Sequence, residues 1–259
     1  MLRKNKFNNL KVKLCASVLL CSFTVSCASV PQGSYTSENP DINPHLEPVN
    51  RYIYSFNQIA DTFILQPIAR TYRTLVPDFV QQLAKNFFNN FHTPVYIINY
   101  ILQGEGQKAQ EAFGRFALNT SLGFFGIADM ASSAGLQNQP TDFGITMAKW
   151  GYTDSAYFVI PLMGPSTVRD TLGEGVDAVL NPFNIASFNS DKFNTFDWIR
   201  LGTEAVASRA AAIPLTDDIR KSLDPYTTMQ SMYLQNRRHE LNLDKDTNIY
   251  DFDFDMDEE

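Results

Sequence analysis

The chain has 259 residues, 44% of them hydrophobic and 13% aromatic, with a formal charge of −7 at neutral pH. An acidic balance of this size argues against a nucleic-acid binder, which needs a basic surface to neutralise phosphates, and against electrostatic adsorption to anionic lipid. The length is ample for one hydrophobic core, and no second composition regime points to a further domain.

In chain order the first feature is the N-terminal stretch. Arg3, Lys4, Lys6, Lys11 and Lys13 form a basic head without an acid, followed by a 12-residue apolar run, Leu14 to Val25, and then Ser26 and Cys27. This is the layout of a secretory signal, and the run is too short to span a bilayer. A cysteine directly after the cleavage point resembles the lipobox of bacterial lipoproteins, in which that cysteine becomes the acylated first residue. Thr24 departs from the pattern, which usually has Leu there. Cys21 is the rival, but Leu20 before it is large for a cleavage site. Ser29, not an Asp, resembles the residue type that sends such lipoproteins on to the outer membrane. Cleavage before Cys27 leaves 233 residues, and losing five basic residues and no acid takes the charge from −7 to −12. Attachment is then apolar, at about 0.8 kcal/mol per buried acyl methylene.

Cys15 and Cys21 leave with the signal and Cys27 carries lipid, so no thiol remains for a disulfide, a nucleophile or a sulfur metal site. His45, His92 and His239 are scattered without ligand spacing, so no metal is expected.

Residues 28–45, rich in Pro, Ser, Asn and Gly, read with Cys27 as a flexible tether (27–45) ahead of a helical body over 46–242. From Glu47 to Asp61, Val49, Tyr52, Ile53, Phe56 and Ile59 recur at helical spacing, with Pro48 suited to a first turn. Pro67 interrupts, and Pro77-Asp78 opens a helix carrying a stripe from Phe79 to Phe91. Packed core is the first reading of that stripe, and lipid contact the second. Thr93-Pro94 predicts the start of a third helix through Val95–Leu102, buried or lying in a leaflet. Residues 106–118, 166–180, 195–212 and 216–238 read as amphipathic helices, with Asp224-Pro225 breaking the last. Tyr157–Ile160 is a short strand or extended piece ended by Pro161. Gly123, Gly126 and Gly144 read as turn positions of positive φ. After Leu243 come eight acids and one Lys, a composition typical of a disordered, solvated tail over 243–259.

Catalytic and cofactor motifs are missing. Gly164-Pro165-Ser166-Thr167-Val168 lacks the second Gly of a nucleophile elbow. There is no Gly-Lys-Ser/Thr phosphate loop, and Gly173-Glu-Gly175 lacks the third Gly of a dinucleotide fingerprint. No enzyme activity and no cofactor are expected.

The middle of the chain carries an ordered series of short motifs: Pro48-Val49-Asn50-Arg51 with Phe56-Asn57, Pro67-Ile68-Ala69, Val76-Pro77, Asn86-Phe87, Asn90-Phe91 and Gln103-Gly104. The series continues through Arg115–Gly123 with Gly126 and Asp129, Asp142-Phe143-Gly144, Gly151, Tyr157 and Val159-Ile160-Pro161. Gly164–Asp170, Arg209 and Asp224-Pro225-Tyr226 complete it. In the order of these motifs, more than in any one of them, the chain resembles the MlaA (VacJ) lipoprotein family over about residues 43–235. It implies a mainly α fold: a ring-shaped bundle of amphipathic helices embedded in the periplasmic leaflet of the outer membrane around a central channel. It also implies removal of misplaced phospholipids from the outer leaflet and their transfer to a soluble periplasmic carrier, beside a trimeric porin and without nucleic acid. An envelope structural or virulence lipoprotein, and a lipid-modifying enzyme, are the rival readings.

Within the family-like blocks, Arg115 and Arg169 are candidates to meet a lipid phosphate bidentately, and Asn50, Arg51 and Asn119 to line the same path. The competing and commoner roles are ion pairs, for instance with Asp170 or Glu111, and helix caps or satisfaction of buried backbone. For Cys27 the functional reading, lipidation, outweighs any structural one.

Overall fold

The structure is a computed structural model that describes residues 41–182, 184 and 195–241. The signal, Cys27 and the acidic tail lie outside the described residues.

The fold is mainly helical. Helix α1 (Glu47–Ala60) runs through a π-helical turn, Asp61–Leu65, into α2 (Gln66–Leu75). The break expected at Pro67 is therefore a change of helical pitch. A proline ring crowds the carbonyl four residues back, and the wider turn accommodates it, the Gln66 N–H bonding the Asp61 carbonyl. The next helix, α3 (Asp78–Leu102), passes straight through Pro94, where a new helix was expected. Asn90, Phe91, Val95, Asn99 and Tyr100 are buried on both sides of the proline, so packing carries the helix across the missing N–H.

A turn at Gly104 leads into α4 (Gly106–Ser121), which lies against α3 through Tyr100, Ala109 and Ala112. Two short helices follow, α5 (Met130–Ser133) and α6 (Phe143–Lys149). The strand expected at Tyr157–Ile160 is present as β1, paired antiparallel with β2 (Gly164–Thr167), Tyr157 opposite Thr167 and Ile160 opposite Gly164. Then come α7 (Val168–Leu180), α8 (Thr195–Arg220), which runs on through Pro214, and α9 (Pro225–Glu240). The break at Asp224-Pro225 is where the sequence puts it.

Start signals are local and chemical. Asp129, Asp142, Thr167 and Asp224 each cap a helix, their side-chain oxygens accepting N–H bonds from the first turn. Of the three glycines read as positive-φ turns, only Gly126 has positive φ, +93°. Gly144 instead permits close approach. A Cβ there would sit 2.6 Å from Asp170 Oδ1, and one at Gly173 would sit 2.4 Å from the Gly144 nitrogen. The backbones of α6 and α7 touch, which sets the acids of both side by side.

Residues 41–45, expected within the tether, are instead fixed to the body. The Asp41 carbonyl and carboxylate accept from the Tyr157 and Ser155 amides, each at 2.8 Å, and Ile42 packs on the cluster of Tyr157, Val159, Tyr226 and Leu234. That cluster is one of three small apolar cores among the described residues. The second gathers Ala69, Ala210 and Ile213, and the third Tyr100, Ala109 and Ala112. Much apolar surface is left outside them.

Candidate functional site

A cavity of about 850 Å³ opens between α3, α7 and α8. His92, Val95 and Tyr96 face it from α3, and Glu174, Asp177 and Ala178 from α7. From α8 come Arg200, Leu201, Glu204, Ala205 and Ser208. Thr141 and Asp142 at the start of α6, Met163 from the β1–β2 turn, and Asn181 and Asn184 complete the wall. The lining alternates polar and apolar groups, as a path for an amphiphile requires, since a charged head needs polar partners and acyl chains do not.

On the α8 side the charges are paired. The His92 imidazole donates to Glu204 Oε1 at 2.6 Å, and Arg200 lies 3.6 Å from Glu204 Oε2. Arg200, only 9% exposed, donates to Asn184 at 3.0 Å and stacks over the Phe91 ring at 4.6 Å. Burial opposes charge on Glu204, but His92 and Arg200 more than offset this and lower its pKa. Burial and the acids around it push the Tyr96 phenol up to about 12.

On the α7 side the arrangement differs. Asp142 is held by Arg237 through two 2.8 Å bonds, but Asp177 accepts only from neutral donors, the Asn99 amide at 2.7 Å and the Phe143 N–H at 2.9 Å. Glu174 has no ion-pair or hydrogen-bond partner among the described residues. Burial, joined by the charges of Asp142 and Asp170, raises the pKa of Glu174; burial, only partly offset by its N–H donors, raises that of Asp177.

None of the five candidates Asn50, Arg51, Arg115, Asn119 and Arg169 borders this cavity; each is taken up by the protein itself. Asn50 Oδ1 accepts from the Val159 N–H at 3.0 Å, and Asn57, two turns on, brackets Ile160 and Leu162 in the same way. The two fasten α1 to the outer edge of β1. Arg51 forks onto Asp224 and lies over the Tyr226 ring at 4.5 Å. Arg115 forks onto Asp129 at 3.0 and 3.1 Å and also donates to the Leu136 carbonyl. Asn119 joins it by bonding Asp129 and the Ala131 N–H, so the pair clamps α4 to α5. Arg115 edges a separate cleft of only about 10 Å³. Burial opposes the charge of Asp129, but Ser132, Asn119 and Arg115 bring its pKa to about 2.

Arg169 pairs with Asp170, one of the partners the sequence suggests, and donates to the Thr153 carbonyl at 2.6 Å. Asp170 also receives Arg237 at 2.9 Å and the Tyr233 hydroxyl at 2.7 Å. Burial penalises its charge, yet these donors hold its carboxyl far below the usual carboxylate range. The cavity acids went unread in the sequence, although Glu174 and Asp177 stand three apart beside Val176 and Val179.

The exterior is as unusual as the interior. Phe63, Phe124, Phe125 and Trp198 are 77%, 77%, 73% and 65% exposed, and Tyr52, Leu75, Phe79 and Met163 are also exposed. Of the Phe79–Phe91 stripe, Phe91 is buried, Phe87 and Phe88 are half-buried and Phe79 is outside. Phe124 and Phe125 sit at φ +52° and +60°, a conformation aromatic residues seldom adopt. Amides of Asn86 and Asn90 hold the loop by bonding the Ile127 and Phe125 carbonyls. No helix among the described residues is long and apolar enough to cross a membrane.

Helices that show apolar faces outward and enclose a cavity of mixed polarity, with no membrane-crossing span among the described residues, define a mainly helical protein built around an amphipathic site. The model of the MlaA lipoprotein family matches residues 43–240, and the chain belongs to that family. It is 32% identical over 235 residues to the intermembrane phospholipid transport system lipoprotein MlaA of Escherichia coli (strain K12), covering 89% of this chain and 88% of that one. A protein of Rickettsia prowazekii is 30% identical over 86% of this chain and 91% of its own length. A solved structure from work on the structural basis for maintenance of bacterial outer membrane lipid asymmetry superposes with a TM-score of 0.64 at 29% identity. It covers 76% of this chain and 98% of that one.

Proposed function

We propose that this protein is an outer-membrane lipoprotein of retrograde phospholipid transport. It takes misplaced phospholipids from the outer leaflet and passes them inward through its amphipathic cavity to a soluble periplasmic carrier, so maintaining lipid asymmetry. Acylated Cys27 ties it to the periplasmic leaflet, its helices form a ring sunk in that leaflet beside a trimeric porin, and the route runs through the ring. It performs no covalent chemistry on the lipid. The five residues Asn50, Arg51, Arg115, Asn119 and Arg169 brace the helices around the route and do not contact lipid.

The observation that carries this reading is the inversion of polarity, seen in a member of the MlaA lipoprotein family. Large aromatic side chains stand outside while His92, Glu174, Asp177, Arg200 and Glu204 face an internal cavity. Soluble domains do not normally leave so many large apolar side chains in water, whereas a body immersed in one leaflet gains by burying them in hydrocarbon.

The test is genetic and chemical. A strain lacking the gene should accumulate phospholipid in its outer leaflet, and the wild-type gene should restore the balance. Cys27→Ala should neither restore it nor yield acylated protein by mass spectrometry. An unchanged outer leaflet would favour the envelope-structural reading, and lysolipid or free fatty acid released by purified protein would favour an enzyme.

A further inference from the structure

We propose that the cavity selects among phospholipids by headgroup, favouring those that end in a primary ammonium over those that end in an uncharged polyol. This rests on the transport reading and adds a substrate class to it.

The grounds are the division of charge across one cavity. Glu174 and Asp177 lie three residues apart on α7, so their carboxyls share one face of the helix. Neighbouring like charges at that spacing are unfavourable, and among the described residues no cation forms an ion pair with either. Arg237, which approaches that wall, is occupied by Asp142, Asp170 and Glu240. Across the cavity, Arg200 stands nine-tenths buried with its guanidinium over the Phe91 ring and bonded to Asn184, and His92 lines the same wall. A guanidinium held this way is a phosphate-binding group. Its carboxylate partner Glu204 is 3.6 Å away, a loose contact that a phosphate can replace.

A ligand that satisfies both walls carries a cation and a phosphate. A primary ammonium has three N–H donors, enough to serve two carboxylates at once, and a phosphoethanolamine head has both parts. A phosphoglycerol head offers only hydroxyls to the exposed Glu174 and the half-buried Asp177, and so brings no charge to compensate theirs. Burial, joined for Glu174 by the charges of Asp142 and Asp170, raises the pKa of both carboxyls, so an incoming cation relieves a cost that these two groups bear.

The experiment uses full-length acylated protein in detergent micelles and two fluorescent phospholipids with identical tails, one with a phosphoethanolamine and one with a phosphoglycerol head. Wild type should bind the amine lipid roughly tenfold more tightly, the worth of one charge-assisted contact. The double variant Glu174→Gln, Asp177→Asn should bring the ratio close to one by weakening only the amine lipid. If the double variant does not fold, Glu174→Gln alone decides, since that side chain makes no hydrogen bond to the described body; an unchanged ratio then overturns the inference. A wild-type ratio of one, or a preference that survives the double variant, overturns the headgroup inference and leaves the transport reading standing. Binding of neither lipid overturns both.

Discussion

The first turn of α7 and the turn that follows it hold negative charge in opposite ways. Asp170, 4% exposed, is met by Arg169, Arg237 and Tyr233, so burial has cost it nothing that its partners do not return. One turn later Glu174 and Asp177 face the cavity with neutral donors or none. Arg237 is bonded to Asp142, Asp170 and Glu240 and to neither of these two carboxyl groups. The contrast separates charge that builds the fold from charge left over for a ligand, and it does so between Asp170 and Asp177 of one helix.

The largest expected effect tests the paired end. Asp170→Ala takes from the buried Arg169 its carboxylate partner and from Arg237 one of three, and removing one member of a buried ionic cluster costs about 3–5 kcal/mol. Denaturant unfolding of the variant in detergent should show a loss of this order. A change under about 1 kcal/mol would mean that the cluster relaxes around water and that paired and unpaired acids do not differ as claimed.

A smaller effect sharpens the same point in a second paired site. Asp129→Ala removes the cap of α5 together with the partner of Arg115, each worth about 1 to 2 kcal/mol, for a total of about 2 to 4 kcal/mol. The sign with pH follows from its depressed pKa of about 2. Stability supplied by Asp129 is present above the ordinary carboxylate value and is lost as pH falls through the folded one. The wild-type advantage over Asp129→Ala should therefore shrink between about pH 4 and pH 2 and stay flat above. An advantage that grows on acidification would contradict the pairing.

How far the sequence revealed these regions depends on how local each cause is. The Asp224-Pro225 break and the Tyr157–Ile160 strand are local signals and are read from the sequence, whereas the caps at Asp129, Asp142 and Thr167, which act within three residues, are recognised only with the helices they start. The family motifs were legible as an ordered set, and the family model agrees with them over residues 43–240. Pro67 and Pro94 misled because helices continue where packing on either side offsets the missing N–H, and packing is not a property of neighbours in sequence. The candidate residues failed to mark the cavity for a related reason. An arginine inside a motif signals that something nearby is negative, and here that something was Asp129 or Asp170, inside the same protein. The cavity acids need the opposite sign of evidence, the lack of a partner. Asp177 meets Asn99 across 78 residues of chain, so only the folded arrangement reveals which acids remain unpaired.

The smallest effect probes the unpaired end and reverses the sign. Glu174 has a raised pKa in the folded state, through burial and then the charges of Asp142 and Asp170, with Arg237 opposing. A carboxyl of this kind favours folding below its unfolded pKa, and that contribution is lost as pH rises through the folded value. Glu174→Gln removes the charge but keeps the shape, and Glu174 lies partly in solvent, so the gain is modest. The variant should melt at the same temperature as wild type near pH 4 and slightly higher at pH 7. With an amine lipid bound, the order at pH 7 should invert, because the ligand's ammonium then stabilises the wild-type carboxylate and has nothing to meet in the variant. Equal melting at both pH values without lipid would show Glu174 to be ordinary surface charge, and the two ends of α7 would no longer be a contrast between fold and site.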